Sequence, residues 1–226
     1  DDLEFLNYRF DTHGQKGHYG VALASKPEPL RVVRGYATDT EDAQRRMIRG
    51  VYTLGDGTEI TVFNGYFPQG ESRDHPIKFP AKEAFYRDLL TTLETEYTPT
   101  DQIVIMGDFN IAPVDHDIGI TDDAKKRWLR TGKTSFLPEE RAWFERLIQW
   151  GLVDSWRSVH PEVSDRYSWF DYRSRGFEDD PKRGLRIDHI LVSKQLIERM
   201  TDCGIDYTLR AMDKPSDHCP VWITLE

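Results

Sequence analysis

A mixed α/β fold, with packed sheets and helices outside them, is predicted by two features of this 226-residue chain. Short apolar runs bounded by turn residues alternate with longer segments of helical periodicity. No repeat, low-complexity stretch or Pro/Ser linker breaks that alternation, so residues 1–226 read as one domain. Residues near Tyr8–Phe10 and Tyr19–Ala24 read as a hairpin, joined by His13-Gly14-Gln15-Lys16-Gly17-His18. Strands follow near Arg46–Thr53 and Glu59–Tyr66. From Ala81 to Tyr97 the periodicity is helical, with Phe85, Leu89, Leu90 and Leu93 on one face. Ile103-Val104-Ile105-Met106 is a buried strand that breaks at Gly107, where the backbone is free to turn. Pro138 and Glu139 open a helix that turns Trp143, Phe144, Leu147 and Ile148 inward and ends at Gly151. Arg186–Val192, Ile205–Leu209 and Val221–Leu225 read as late strands.

Composition removes several classes of protein. Hydrophobic content of 38% with 31% charged residues fits a globular domain large enough for a full core. No stretch approaches the ~18 apolar residues of a membrane span, and the start of the chain has no charged-then-apolar signal sequence. Cys203 and Cys219 lack metal-ligand spacing and read as two reduced thiols of a cytoplasmic protein. The net charge of −9 argues by itself against a polyanionic partner. Its distribution argues the other way. Lys125, Lys126, Arg127, Arg130 and Lys133 form a run without an acid, and Arg166, Arg173 and Arg175 surround Tyr167-Ser168-Trp169-Phe170. Lys182, Arg183 and Arg186 follow. Any one cluster reads as a solvated face; basic groups interleaved with aromatics beside a candidate metal site suggest a nucleic-acid surface.

The chemistry concentrates in short motifs. Gly107-Asp108-Phe109-Asn110 puts a carboxylate and an amide on one face at a strand end, able to hold a divalent cation and a water beside a phosphate. Pro215-Ser216-Asp217-His218-Cys219-Pro220 adds a carboxylate beside an imidazole. Asp188, flanked by Ile187, Ile190 and Leu191, needs a partner because an unpaired buried charge is costly, and His218 is the expected one. Tyr66, in Asn64-Gly65-Tyr66-Phe67-Pro68-Gln69-Gly70, offers a neutral hydroxyl to a phosphate oxygen, though alone it would pass for an ordinary strand-end tyrosine. Oxygen-rich ligands with few His or Cys favour magnesium over zinc. The set points to a metal-dependent phosphodiesterase.

NGYFPQG, GDFN, RWLRTGK, SWFDYRS, GLRIDHILVS and KPSDHCPVW occur in the order found in bacterial exonuclease III, and GQKGHYGVAL and PIKFPAK extend the likeness. The chain therefore resembles the abasic-site DNA-repair branch of the endonuclease/exonuclease/phosphatase superfamily from about His13 onward. GDFN and SDH alone indicate the superfamily; NGYFPQG with SWFDYRS narrows it. The resemblance implies a four-layer α/β sandwich, two packed mixed β-sheets flanked by helices. It also implies magnesium, with manganese as an alternative, and a monomer that acts on double-stranded DNA at abasic sites and 3′ ends. Asp108, Asn110, Asp217 and His218 would surround the metal. Asp108 with Asn110 would position the water, Tyr66 and His218 would donate to phosphoryl oxygens, and Asp188 would hold His218. The acceptor of the water's proton stays open among Asp108, Asp188 and a metal-bound hydroxide. Trp169 and Phe170 would pack on an extrahelical abasic sugar, although core packing accounts for Trp169 equally well. Arg46, Gln69 and the run containing Lys125, Lys126 and Arg127 would contact phosphates and grooves.

The front of the chain departs from the pattern. The family begins with a strand–helix–strand unit of roughly 30 residues that carries a metal-binding Glu, and none of it is found here. The expectation is a domain incomplete at its N-terminus, lacking one strand and that Glu, for which Glu4 is a poor substitute. Two rivals follow: a binding-only fragment, and a lipid-headgroup phosphatase of the same superfamily, against which the aromatic-basic segment speaks.

Overall fold

The structure, a computed structural model, describes residues 6–226, so Glu4 lies outside the described residues. β1 (Arg9–Gly14) and β2 (Gly20–Ser25) form the expected hairpin. Strands β3 (Arg31–Arg34), β4 (Met47–Thr53), β5 (Glu59–Tyr66), β6 (Ile103–Asp108), β7 (Leu152–Asp154) and β8 (Asp188–Ser193) build one sheet, ordered β3-β4-β5-β6-β8-β7. Only β5 and β6 run parallel within it, and the helix α1 (Lys78–Glu96) supplies the crossover that parallel pairing requires. β9 (Met200–Ile205) and β10 (Val221–Leu225) form a separate antiparallel pair.

The alternation of side chains along the strands sorts the core into two layers. Phe63, Ile103, Ile105 and Leu191 face α1 and α3 (Pro138–Trp150), meeting Phe85, Leu89, Leu93, Trp143, Phe144 and Leu147. Val62, Val104, Met106, Ile190 and Val192 face the other way, onto Val221, Ile223 and Leu225 of β10. The first hairpin joins this second face, where Asn64 Nδ2 donates to Ala22 O at 2.8 Å. The expected α/β class, with a mixed sheet flanked by helices, is what forms; the second sheet layer consists of the two antiparallel pairs. No helix among the described residues is long and apolar enough to cross a membrane.

Local differences have local causes. The strand expected at Ile205–Leu209 is the end of β9 followed by a short helix at Tyr207–Arg210. Asp206 Oδ1 accepts the Leu209 N–H at 3.0 Å and starts the helical turn. The basic run is carried by the helix α2 (Asp122–Thr131), which begins at the cap Thr121 and ends at Gly132 with φ 68. Those cap residues are readable signals that the charge count obscured.

Arg186 corrects a further expectation. Instead of joining Lys182 and Arg183 in a basic cluster, it is 1% exposed. Its Nε lies 2.7 Å from Asp117 Oδ1, its Nη2 2.6 Å from Asp154 Oδ2, and its Nη1 3.0 Å from His189 Nδ1. Burial alone would raise the Asp154 pKa, but Arg186 and His189 hold that carboxyl far below the usual range.

A second buried ion pair sits under the sheet's C-terminal ends. Lys82 and Glu140 are both fully buried, with Nζ 2.5 Å from Oε1. Lys82 Nζ also donates to Asn110 O at 2.8 Å and Gln69 O at 3.3 Å, while Glu140 Oε2 accepts the N–H groups of Ser135 and Leu137, each at 2.8 Å. Removing one partner of such a pair strands the other charge. Lys82→Met should therefore destabilise the fold by about 3–5 kcal/mol in urea denaturation, and adding Glu140→Gln should recover much of that. A single variant as stable as the parent would mean that the ion pair does not hold this part of the fold.

Candidate active site

Three adjacent strands end in one row. The parallel register of β5 and β6 sets Tyr66 beside Asp108, and the antiparallel register of β6 and β8 sets Asp108 beside Asp188. The close approach depends on Gly107, whose φ is 137; a Cβ there would lie 1.9 Å from Gly65 O. The next turn bends through Asn110 at φ 53, a left-handed conformation that Asn tolerates better than most residues. Asn110 then bonds back to Asp108. Its N–H meets Asp108 Oδ1 at 2.9 Å and its Nδ2 meets Asp108 Oδ2 at 2.8 Å, with Phe67 O at 3.0 Å. The Asp108 carboxylate is thereby fixed in orientation.

His218 arrives from the loop before β10. Its Nδ1 lies 3.0 and 2.9 Å from the two oxygens of Asp188, so the pairing expected from the sequence is formed. Ligand atoms of Asp108, Asp188 and His218 all lie within 4.8 Å of one another. Asp217 stands beside them but outside that group, with Oδ2 accepting the Trp169 indole N–H at 3.0 Å. Trp169 also forms a backbone bridge to His218, which ties the aromatic segment to the site.

The electrostatics follow from crowding. Burial and the negative charge of Asp188 raise the Asp108 pKa to about 7, against the opposing pull of His218, the Asn110 N–H and Lys82. For His218, burial disfavours the charged ring, but the hydrogen bond and charge of Asp188, with Asp108 and Asp217, outweigh it and raise the pKa to about 9. At neutral pH the imidazole is a cation held against Asp188 and facing Asp108.

The residues expected to meet DNA divide. Lys126 and Arg127 are exposed on α2, while Lys125 Nζ reaches Asp115 at 3.2 Å. Gln69 is exposed, with Nε2 donating to Thr134 Oγ1 at 2.9 Å. Arg46 is only 7% exposed. Its guanidinium carbon lies 3.9 Å from the Tyr19 ring centre and 4.6 Å from that of Tyr66, and Nη1 donates to Tyr66 O at 3.0 Å. It holds Tyr66 in place from behind. Phe170 is fully buried with Tyr167 and Cys219, so it cannot pack on a substrate. Its neighbour Trp169 is half-buried and borders a cavity of about 400 Å³ lined by Arg127, Trp128, Lys133, Arg173 and Arg183. Lys82 was missed by the sequence reading. The available signal was its position on the same helical face as Phe85, Tyr86 and Leu89, where an unpartnered cation would not be tolerated.

The fold and this row of side chains define a hydrolase of phosphate esters. The chain belongs to the endonuclease/exonuclease/phosphatase family, whose model matches residues 1–218. It is 60% identical over 219 residues to exodeoxyribonuclease III of Haemophilus influenzae, covering 97% of this chain and 81% of that protein. A 3′ phosphatase from Neisseria bound to a product DNA hairpin is 36% identical with a TM-score of 0.86; an AP endonuclease from Archaeoglobus fulgidus is 31% identical with a TM-score of 0.87. Each structural match covers all of this chain and 82% of the other. Within the family this is a DNA-repair nuclease similar to exonuclease III.

A histidine whose folded pKa is raised contributes stability that is full below its unfolded value of about 6.5 and is lost as pH rises through the folded value. In the metal-free protein, the His218 ring should titrate near pH 9 by NMR. Asp188→Asn should move that titration toward about 6.5 and flatten the fall in Tm between those two pH values. An unmoved His218 signal would mean that Asp188 does not set its charge.

Proposed function

We propose that this enzyme uses magnesium, or manganese in its place, to remove nucleotides 3′→5′ from duplex DNA and to cleave at abasic sites. It acts as a monomer in the cytoplasm, where its two buried free thiols, Cys203 and Cys219, would stay reduced. The reading is carried by the row Tyr66, Asp108 and Asp188 with His218 bonded to it.

The donor set fits a hard divalent cation. Asp108 and Asp188 offer carboxylate oxygens close to His218, Asp217 stands beside that group with one oxygen taken by Trp169, Asn110 keeps an amide oxygen that accepts no hydrogen bond among the described residues, and no thiolate is in the group. Asp108, Asn110 and Asp217 would hold the ion, with His218 at its edge. Once bound, magnesium would neutralise charge on the scissile phosphate. The remaining chemistry belongs to the chain. Asp108, fixed by Asn110, orients the attacking water and accepts its proton. Asp188 keeps His218 charged, and the free Nε2–H of His218 donates to a phosphoryl oxygen. The Tyr66 hydroxyl supplies a second donor, steadied by Arg46. Attack on phosphorus breaks the bond to the 3′ oxygen and leaves a 3′-hydroxyl and a 5′-phosphate.

Selectivity would rest with Trp169 at the rim of the 400 Å³ cavity, on which an extrahelical abasic sugar would pack. The similarity to an AP endonuclease supports this assignment.

The test is cleavage of a duplex bearing one abasic site, with Mg²⁺ and then with EDTA. Magnesium-dependent cleavage to a 3′-hydroxyl end is expected, with Asp108→Asn lowering kcat by about 10²–10⁴-fold. Tyr66→Phe should lower it by about 10²-fold. Undiminished cleavage in EDTA would overturn the metal assignment. Hydrolysis of lipid headgroups in preference to DNA would overturn the substrate assignment.

A further inference from the structure

Buried Arg46 lies between two tyrosine rings and donates to Tyr66 O, and the other buried cations described mostly have a carboxylate in reach: Lys82 has Glu140, Arg186 has Asp117 and Asp154, and Arg49 has Glu96. Arg210 does not. It is 5% exposed, forms no ion pair within 4.0 Å, and its buried Nε makes no hydrogen bond among the described residues. Removing a charge from water without a counter-charge is costly. Three rings surround it, Phe177 at 4.7 Å, Tyr172 at 5.5 Å and Phe170 at 5.8 Å from its central carbon. Ring faces attract a cation but do not satisfy the five N–H donors of a guanidinium.

Arg210 lines a cavity of about 270 Å³ with Tyr172, Arg175, Phe177, Met212 and Pro215. Arg175 is a second cation there, exposed, without an ion pair and at φ 53. That left-handed conformation is strained for Arg, and such strain tends to collect where a ligand is held. Lys182 Nζ adds a third positive charge 4.1 Å from the Phe177 ring. The lining contains one acid, Glu178, which is exposed and pairs with neither arginine within 4.0 Å. The cavity presents two cations against one anion, and one of those cations is fixed and unsatisfied.

The walls are continuous with the active site. The Tyr172 hydroxyl donates to Pro215 O, Phe170 N donates to Asp217 O at 2.9 Å, and Trp169 bridges His218. The two chain segments that form the cavity thus also carry Trp169, Asp217 and His218.

We propose that this cavity is an anion subsite, with Arg210 as its fixed cation and Arg175 as its closing one, that receives a non-scissile phosphate of the DNA backbone. It rests on the DNA-directed reading given above. A planar guanidinium matches two phosphate oxygens, and a phosphate supplies the acceptors that Arg210 lacks.

The experiment is equilibrium binding of a duplex, with and without an abasic site, in EDTA across a salt series. Arg175→Gln and Arg210→Lys are compared with the parent, and circular dichroism checks that each is folded. Both variants should weaken binding to the two duplexes alike, Arg175→Gln by roughly tenfold. With Arg175→Gln the slope of log K against log salt should shrink by about 0.9 for the lost charge, whereas Arg210→Lys keeps its charge and should lose affinity at an unchanged slope, because only the planar fork is gone. A duplex carrying a single neutral methylphosphonate at the contacted position should show the same loss with the parent and no additional loss with Arg175→Gln. Unchanged affinity in folded Arg210→Lys together with an unchanged slope in Arg175→Gln would mean that Arg210 is only a structural cation in an aromatic cage, and would overturn the subsite while leaving the nuclease assignment intact. A parent protein that binds neither duplex would overturn both. If Arg210→Lys fails to fold, the exposed Arg175 variant decides alone.

Discussion

Two carboxylates that stand directly opposite each other, Asp108 on β6 and Asp188 on β8, set the conditions for the rest of the site. Like charges opposite one another across a sheet destabilise it, and these are partly withdrawn from water. The surrounding structure answers that repulsion group by group. His218 brings a positive charge to Asp188, the Asn110 turn directs two N–H donors at Asp108, and Lys82 lies near enough to favour the Asp108 carboxylate. Each of these groups comes from a different part of the chain. The site therefore exists only when β6, β8, α1 and the loop before β10 are all in place.

Two buried ionic networks secure that arrangement from opposite ends of the turn after β6. Lys82 and Glu140 grip it at Asn110 O, and His189, itself bonded to Arg186, grips it at Ile111 O, 2.8 Å from Nε2. His189 follows Asp188 in sequence, so one network controls both the turn and the strand that presents the second carboxylate. Apolar residues of similar volume would stabilise the core at least as well. What they would not do is fix backbone carbonyls at defined positions, and a water-activating carboxylate needs that definition more than it needs extra stability.

Legibility in the sequence followed the range of the interactions. Asp108 with Asn110, and Asp217 with His218, were readable because their geometry is set within a few residues by a turn. The Asp188–His218 pair crosses 30 residues and was readable only because an apolar strand made a lone carboxylate conspicuous. Phe170 and Arg186 turn inward against expectation for one shared reason: charge and aromaticity show what a side chain can do, not which side of the backbone it occupies. Trp169 and Phe170 are adjacent and face opposite ways, one to the cavity and one to the core. The boundary at Ile205–Leu209 was lost to a single capping side chain, Asp206, whose preference for starting a helix outweighed the β-like composition of its neighbours.

The net charge of −9 and a polyanionic substrate are reconciled by where the cations go. Arg46, Arg186 and Lys82 are consumed inside the protein, and Lys125 is drawn to Asp115, so they contribute little to any outward field. Among the cations left exposed, Lys126, Arg127 and Lys133 come from α2 and the turn after it, and Arg173 and Arg175 from the segment that follows Trp169. Both elements border the catalytic row or the cavities beside it. Focusing depends on such local sign, because the field of a distant acid is screened within about 10 Å at moderate salt. An acidic chain can therefore carry a locally positive face, and a net negative charge does not by itself exclude a DNA backbone from that face.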